Sequence, residues 1–485
     1  MFRSTLTGLW CCEPVSKSGG GEHSCCPREP WIVALSTSVR ILIHPLSSEH
    51  TPLVQIKPAT RWSKRKVRCV VEVVHPRCAG IDISKKDAKV CVRIQGGGGR
   101  RTSSTVTTWG SMTNQVLALR DHLVAAQVSV VVMEATSDYW RPFYYLLESD
   151  FQVMLVNARE AKNVPGRKSD VSDAAWLADL GAHGLLRASF VPPEPIRQLR
   201  DLTRARTVIT RERTREVQRL EKLLEDAGIK LSSVASDITG VSGRLMLQAL
   251  IDTGGAIDPA GVADLAKRRL RSKIDDLTEA LTGHFSGHHA FMARLFLDRI
   301  DSHSRDIVAL SARVEELMEP FLPIRVLLES VPGFSQIVAE IFIAETGGDM
   351  RQFPTAGHLA SWSGVSPGSN ESAGRIKSTK TRPGNRYLKG ALGIAALTAA
   401  RCKNTFLSAK YRRIASSRGP MKAVVAVEHA IIVAAWNMLT GGEFYRDPGP
   451  DFYTRRDPGR AQARAVKQLE ALGFHVTIEP LSAAG

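Results

Sequence analysis

Four carboxylates between residues 82 and 173 stand where a carboxylate is either costly or purposeful. Asp82 lies at the centre of the apolar run Gly80-Ile81-Asp82-Ile83-Ser84, and an Asp inside a buried strand is expensive unless paired or bound to a cation. Glu134 ends the run Val130-Val131-Val132-Met133 in the same predicament. Asp170 and Asp173 are three residues apart at the start of a predicted helix, so both face one side. Four such groups are what two hard divalent cations require. Magnesium takes oxygen ligands and leaves positions for phosphate oxygens. Two ions ~3.5–4 Å apart can stabilise both the attacking and the leaving oxygen in phosphoryl transfer. Each carboxylate alone has a plainer reading. Asp170 and Asp173 could stabilise a helix amino terminus, and Glu134 could be an ordinary strand end. Together, on one α/β unit, the metal reading is the stronger.

The elements that must position them follow from periodicity. Cys78–Ile83 and Lys89–Ile94 read as strands joined by a tight turn at Ser84–Asp87, and Thr105–Trp109 as a third strand. A helix over Asn114–Ala126 precedes the buried strand Val128–Met133. A helix over Tyr139–Glu148, a strand over Gln152–Asn157 and a helix over Asp170–Leu180 complete the unit. Three strands followed by α, β, α, β, α make an α/β layer architecture, in the order of the ribonuclease H fold. Two charged amphipathic helices follow, from Pro195 to about Glu225 and from Arg294 to about Met318, which suggests an antiparallel hairpin or coiled coil. A mostly helical unit rich in Ala and Gly runs from Leu327 to about Leu439. Pro448, Pro450 and Pro458 mark a linker, and Arg460–Leu472 with Phe474–Ile478 reads as a helix–strand tail.

The 485 residues carry 65 Lys+Arg against 48 Asp+Glu, a formal charge of +17, so a polyanionic partner is expected. Much of the excess is concentrated. Between Glu371 and Glu428 there is no acid, while Arg375, Lys377, Lys380, Arg382, Arg386, Lys389, Lys410, Arg412 and Arg413 all fall there. Solvated faces normally mix signs, so this interval reads as a surface for phosphate backbones. The turn Ser330-Val331-Pro332-Gly333-Phe334-Ser335 joins two predicted helices and could aim N–H groups at a phosphate. The apolar stretch Ala423–Leu439 is interrupted by Glu428 and His429, so no membrane span is expected. The amino terminus lacks a secretory pattern, which leaves the cytoplasm as the default compartment. Cys11, Cys12, Cys25, Cys26 and Cys69 lie in the first 69 residues without CxxC spacing, so that segment reads as an irregular, dispensable leader rather than a zinc site.

Three segments carry a specific resemblance: Gly80-Ile81-Asp82-Ile83-Ser84-Lys85, Met133-Glu134-Ala135-Thr136 and Lys168-Ser169-Asp170-Val171-Ser172-Asp173-Ala174. They resemble the signatures of the DEDD transposases of the insertion sequence 110 family, whose amino-terminal domain is RuvC-like. A second resemblance lies in Leu359–Pro367, in Asn370-Glu371-Ser372-Ala373-Gly374-Arg375 and in Arg382-Pro383-Gly384-Asn385. It is similar to the same family's transposase domain, with Ser372-Ala373-Gly374 standing where Ser-Gly is common; Ser363, Ser366 and Ser369 lie close by. The resemblance implies Asp82, Glu134, Asp170 and Asp173 as ligands of Mg2+ or Mn2+, and Ser372 as a nucleophile that forms a phosphoserine link to DNA. It implies donor and target DNA as partners, a structured non-coding guide RNA encoded by the element, and a homo-oligomer, dimer or tetramer. The expected fold is thus α/β plus all-α: a leader over 1–70, a RuvC-like domain over 71–190, a helical linker over 195–325, a helical transposase domain over 326–445 and a tail. Competing readings are a metal-dependent junction-resolving endonuclease without serine chemistry, and a nucleic-acid-binding protein with a decayed site.

Overall fold

The computed structural model describes residues 72–97, 101–164 and 172–479; the cysteine-rich leader and Asp170 lie outside them. A five-stranded sheet opens the described chain, formed by β1 (Arg77–Ile83), β2 (Asp87–Ile94), β3 (Ser103–Gly110), β4 (Val130–Glu134) and β5 (Gln152–Val156). Its order is β3-β2-β1-β4-β5. The first three strands are antiparallel, whereas β4 and β5 run parallel to β1. This is the ribonuclease H arrangement of a RuvC-like domain. The tight turn forms as expected, with Ser84 Oγ accepting the Lys86 and Asp87 N–H groups.

Side chains alternate across this sheet. Ala79, Ile81, Ile83, Val131 and Met133 pack against α1 (Thr113–Ala125) and α2 (Trp140–Leu147) through Leu119, Leu123, Phe143 and Leu147. Cys78, Val130 and Val132 face the other way. After the short α3 (Ala158–Asn163), they meet Leu177 and Leu180 of α4 (Asp173–Ala182). The continuous apolar run of β4 is therefore buried on both faces, as a central parallel strand demands.

Helix α5 (Glu194–Asp226) runs antiparallel to α10 (Gly287–Met318). Arg213 Nε donates to Ser304 Oγ at 2.8 Å, while at the far end His289 faces Asp226 at 3.3 Å. The expected hairpin is present, but α10 starts seven residues before the Arg294 expected from periodicity. Ser286 and His289 cap each other there, satisfying N–H groups at the helix start. Between the two long helices lie α6 (Leu231–Val234), α7 (Val241–Thr253), α8 (Pro259–Ala263) and α9 (Ile274–Leu281). They bury Leu247, Leu250, Leu277 and Leu281 against Leu220, Leu224, Phe296 and Ile300, forming a separate core at the hairpin tip.

The remainder is mainly helical: α11 (Leu322–Glu329), α12 (Gln336–Thr346), α13 (Ala356–Trp362), the β-hairpin β6 (Asn370–Ser372) and β7 (Arg375–Ser378), α14 (Arg386–Arg401), α15 (Phe406–Arg418) and α16 (Pro420–Gly441). By length and composition α16 could cross a membrane. Its Val427, Ile431, Ile432 and Ala435 are instead buried in this unit's own core with Phe342, Leu388 and Leu392, so it is not membrane-embedded. The tail holds α17 (Phe452–Arg456) and α18 (Pro458–Ala471), with Pro458 in the first turn of α18. The strand expected at Phe474–Ile478 is not formed; among the described residues it has no partner strand, and a lone strand has no ladder to stabilise it.

Candidate active site

Asp82 and Glu134 come together through strand pairing. The parallel register sets Gly80 beside Val132 and Ile81 beside Met133, so the next residues, Asp82 and Glu134, end as neighbours on strands ~4.8 Å apart. Alternation places both on the α4 face, since Gly80 and Val132 two residues earlier pack against that helix. Asp173 is the first residue of α4, whose Ser172 cap accepts the Ala175 N–H at 3.3 Å. The seating of α4 depends on two glycines. A Cβ on Gly80 would collide with the Ala174 carbonyl and the Ala178 amide, and one on Gly181 with Val132 and Cys78.

Asp82 and Glu134 thus face the helix that Asp173 begins; all three are half-buried, and each has an interaction partner. Their oxygen-only chemistry fits a hard divalent cation. Among the described residues no three His, Cys, Asp or Glu side chains form a set that could hold an ion by themselves; the fourth member, Asp170, is outside those residues. Asp179 on the same helix is not part of the set, because it pairs with the buried Arg93 at 3.1 Å. Beneath α4, burial pushes the Cys78 thiol up to about 12 and raises Cys91 as well, so both remain protonated packing groups.

Ser372 occupies a different kind of place. It is the last residue of β6, directly opposite Arg375, and only Ala373 and Gly374 connect the two strands. Both connecting residues have positive φ, 51° and 74°, as a two-residue type I′ turn requires. Gly374 takes that conformation freely, while Ala373 carries a left-handed strain of about 1–2 kcal/mol. Every residue from Asn370 to Lys380 is exposed, so the Ser372 hydroxyl stands at the tip of a projecting hairpin. Of the neighbouring serines, Ser363 is fully buried and donates to the Leu359 carbonyl at 2.7 Å. Ser366 is half-buried and Ser369 exposed.

The base of this loop is clamped. Gly364 and Gly384 lie backbone to backbone, with no room for a Cβ on either. The Asn385 N–H donates to the Trp362 carbonyl at 3.1 Å. The Asn385 side chain accepts the Tyr387 and Leu388 N–H groups at the start of α14 and donates to Glu345 Oε2 at 2.6 Å. Glu345 is completely buried, and Arg204 from α5 grips it with two bonds of 2.7 Å. Arg200 adds bonds to the Ala344 and Glu345 carbonyls, and Arg206 pairs with the buried Glu340 at 2.6 Å. Sequence reading missed this network because its arginines lie more than a hundred residues from the groups they hold. The Pro-Gly turn at Pro332–Gly333 forms between α11 and α12, with Gly333 pressed against the backbone of α14. Ser335 accepts the Val338 N–H at 3.4 Å.

The basic residues divide into two groups. Arg375, Lys377, Lys380, Arg382, Arg386, Arg412 and Arg413 are exposed, and among the described residues none has a carboxylate within 4.0 Å. Lys389 and Lys410 turn partly inward. Lys389 donates to Thr381 Oγ1 at 3.0 Å. Lys410 lies 5.7 Å over the Phe406 ring, and burial, aided by Arg413, lowers its pKa.

Two family models match the chain. The DEDD transposase model of the IS110 type covers residues 79–229, and the model described as transposase IS116/IS110/IS902 family covers residues 325–412. A protein of Streptomyces coelicolor, the insertion element IS110 uncharacterized 43.6 kDa protein, is 27% identical over 61% of this chain and 76% of its own length. The insertion element IS900 42 kDa protein of Mycobacterium paratuberculosis is 28% identical over 57% of this chain and 73% of its own. A probable family 20 transposase of Pseudomonas aeruginosa is 26% identical over 68% and 89% respectively. The first matched segment contains Asp82, Glu134, Asp170 and Asp173, the second contains Ser372, and the chain, which carries these two transposase domains of the IS110 type, is a DNA transposase.

Proposed function

We propose that this transposase cuts and rejoins DNA with two active-site components, a RuvC-like carboxylate set and the hydroxyl of Ser372. The observation that carries the reading is the exposed hairpin: its tip presents a serine beside Arg375, within an interval free of acids. A serine so placed reaches a phosphate outside its own core, and the basic side chains around it hold that phosphate. The Ser372 oxygen forms a bond to phosphorus while one bridging P–O bond of the DNA breaks. The serine proton is lost and the departing sugar oxygen gains one. Reversal of the step rejoins a strand without an external energy source. Asp82, Glu134, Asp170 and Asp173 would hold magnesium or manganese, which when bound relieves the repulsion among the carboxylates and polarises the phosphate. Arg375, Lys377, Lys380, Arg382, Arg386, Lys389, Lys410, Arg412 and Arg413 would bind the backbone of donor and target DNA.

The family resemblance and the charge of +17 further support a structured RNA, encoded by the element, as the guide. The resemblance and the long helical hairpin α5–α10 also support an oligomer in which the carboxylates and the serine meet at one phosphate. Ser372→Ala tests the central claim, because it removes the hydroxyl without adding bulk. The variant should bind DNA yet yield no covalent protein–DNA adduct on denaturing gels and no recombinant product, whereas Ser366→Ala and Ser369→Ala retain both. Cleavage by Ser372→Ala together with its loss in Asp82→Asn would make water the nucleophile and the protein a junction-resolving endonuclease.

A further inference from the structure

The tail beyond both matched segments builds a basic cleft. Phe452 and Tyr453 of α17 clasp the first residue of α15: the Tyr453 ring stacks on Phe406 at 5.7 Å and 24°, and Phe452 meets it edge-on at 4.9 Å. This packing brings α17 and α18 beside α15 and leaves between them a cavity of about 440 Å³. Arg413, Arg456, Arg460 and Arg464 line it, with Asp457 as its one acid. Asp457 is already engaged, since its Oδ1 accepts the Arg460 N–H at 3.1 Å and caps α18. Among the described residues none of the four arginines has a carboxylate within 4.0 Å.

Four guanidinium groups around one cavity repel each other unless an anion lies between them. The forked donors of Arg match phosphate oxygens in pairs. Tyr453 already stacks on Phe406 and carries the Arg413 guanidinium 4.1 Å over its ring, so the cleft offers charge rather than an open aromatic face. Such a lining reads backbone and not base. Arg413 also belongs to the acid-free interval around Ser372, which makes the cleft an extension of that surface.

We propose that this cleft binds backbone phosphates of DNA and anchors it, without sequence preference, outside the catalytic segments. The choice of DNA as the source of the phosphate rests on the transposase reading; the anion site itself does not. The test uses the full chain carrying Arg456→Ala, Arg460→Ala and Arg464→Ala, with fluorescence anisotropy on a duplex of arbitrary sequence across a salt series. Each phosphate that is no longer neutralised by a side-chain cation lowers the slope of log K against log salt by about 0.9, so a drop of about 2–3 is expected. The corresponding triple Lys variant should restore most of it. Arg464 is exposed, so Arg464→Ala alone should keep the melting temperature and still lower the slope by about 0.9. An unchanged slope in both variants overturns the cleft, and a weakening seen with single-stranded RNA but not with the duplex overturns DNA as its occupant. If the unaltered protein itself showed no salt-dependent DNA binding, the proposed function would fail instead.

Discussion

Gly80 offers the sharpest test of how the carboxylates are placed. It lies two residues before Asp82 on the same face of β1, and α4 packs directly over it. In Gly80→Ala the new methyl would sit about 1 Å short of van der Waals contact with the Ala174 carbonyl oxygen and the Ala178 amide nitrogen. Both obstacles are backbone, so no side-chain rotation relieves them, and α4 has to move away by about that distance. Overpacking of this kind costs about 1–3 kcal/mol, and a rigid obstacle puts it near the upper end. For a unit of this size that corresponds to a drop of about 10 °C or more in Tm. Because Asp173 is the first residue of α4, the same shift carries it away from Asp82 and Glu134. A misplacement of ~1 Å at a catalytic group lowers the rate by about 100-fold. Thermal unfolding and a strand-cleavage assay on the purified variant measure both effects. Gly261→Ala, where a Cβ meets nothing within 4 Å, is the control and should change neither. A Gly80→Ala protein that melts within a degree of the parent and cleaves within twofold of it would refute the proposed seating of α4.

Other consequences can be measured separately. Glu345→Ala strands Arg200, Arg204 and the Asn385 amide in a buried site and should cost about 3–5 kcal/mol in urea unfolding; an unshifted midpoint would contradict this. Ala373→Asn supplies the residue that a type I′ turn prefers before Gly374, so amide exchange across the Ser372–Arg375 pair should slow several-fold, with faster exchange as the contrary result. Glu428 is buried in α16 with Oε2 lacking a partner, and burial raises its pKa despite Lys389 nearby. A carboxyl with a raised folded pKa contributes full stability below its unfolded pKa of about 4.5 and loses it as pH rises through the folded value. Glu428→Gln should therefore match the parent at pH 4 and melt higher at pH 7; a lower Tm at pH 7 would oppose the sign.

The amino-terminal sheet was readable because its signals are local. The β4 run is apolar at each position from Val130 to Met133, and Asp82 stands out in β1 because alternation alone would not place a charge there. Helix α3 escaped notice because six residues, Ala158–Asn163, are too few to show a period. The early start of α10 escaped as well, since its first turn reads Gly-His-His-Ala and only the Ser286–His289 cap marks it as helical. The tail failed in the opposite direction. Phe474–Ile478 alternates like a strand, but pairing is a property of two segments, and the second one does not exist among the described residues. At the site, the residue types and the Ser-Ala-Gly turn were visible in one dimension. The clamp of Arg204, Glu345 and Asn385 was not, because nothing in local spacing ties an arginine on one helix to a glutamate 141 positions away.

Helix α5 enters two of the three cores and is tied to the sheet domain by an ion pair. Arg197 near its start holds Glu148 behind α2 at 2.8 Å, Arg204 and Arg206 hold α12, and Leu220 and Leu224 enter the core at the hairpin tip. As an uninterrupted helix of 33 residues it spans about 50 Å. Its length is therefore quantised. One residue added between Arg206 and Leu220 would turn everything downstream by about 100° and advance it by about 1.5 Å, pulling one set of partners out of phase with the other. An insertion of seven would nearly restore the phase, leaving a rotation of about 20° and an axial displacement of about 10 Å. Along this stretch, length variants that still assemble should come in steps of whole heptads, while the loops at the hairpin tip remain free to vary one residue at a time.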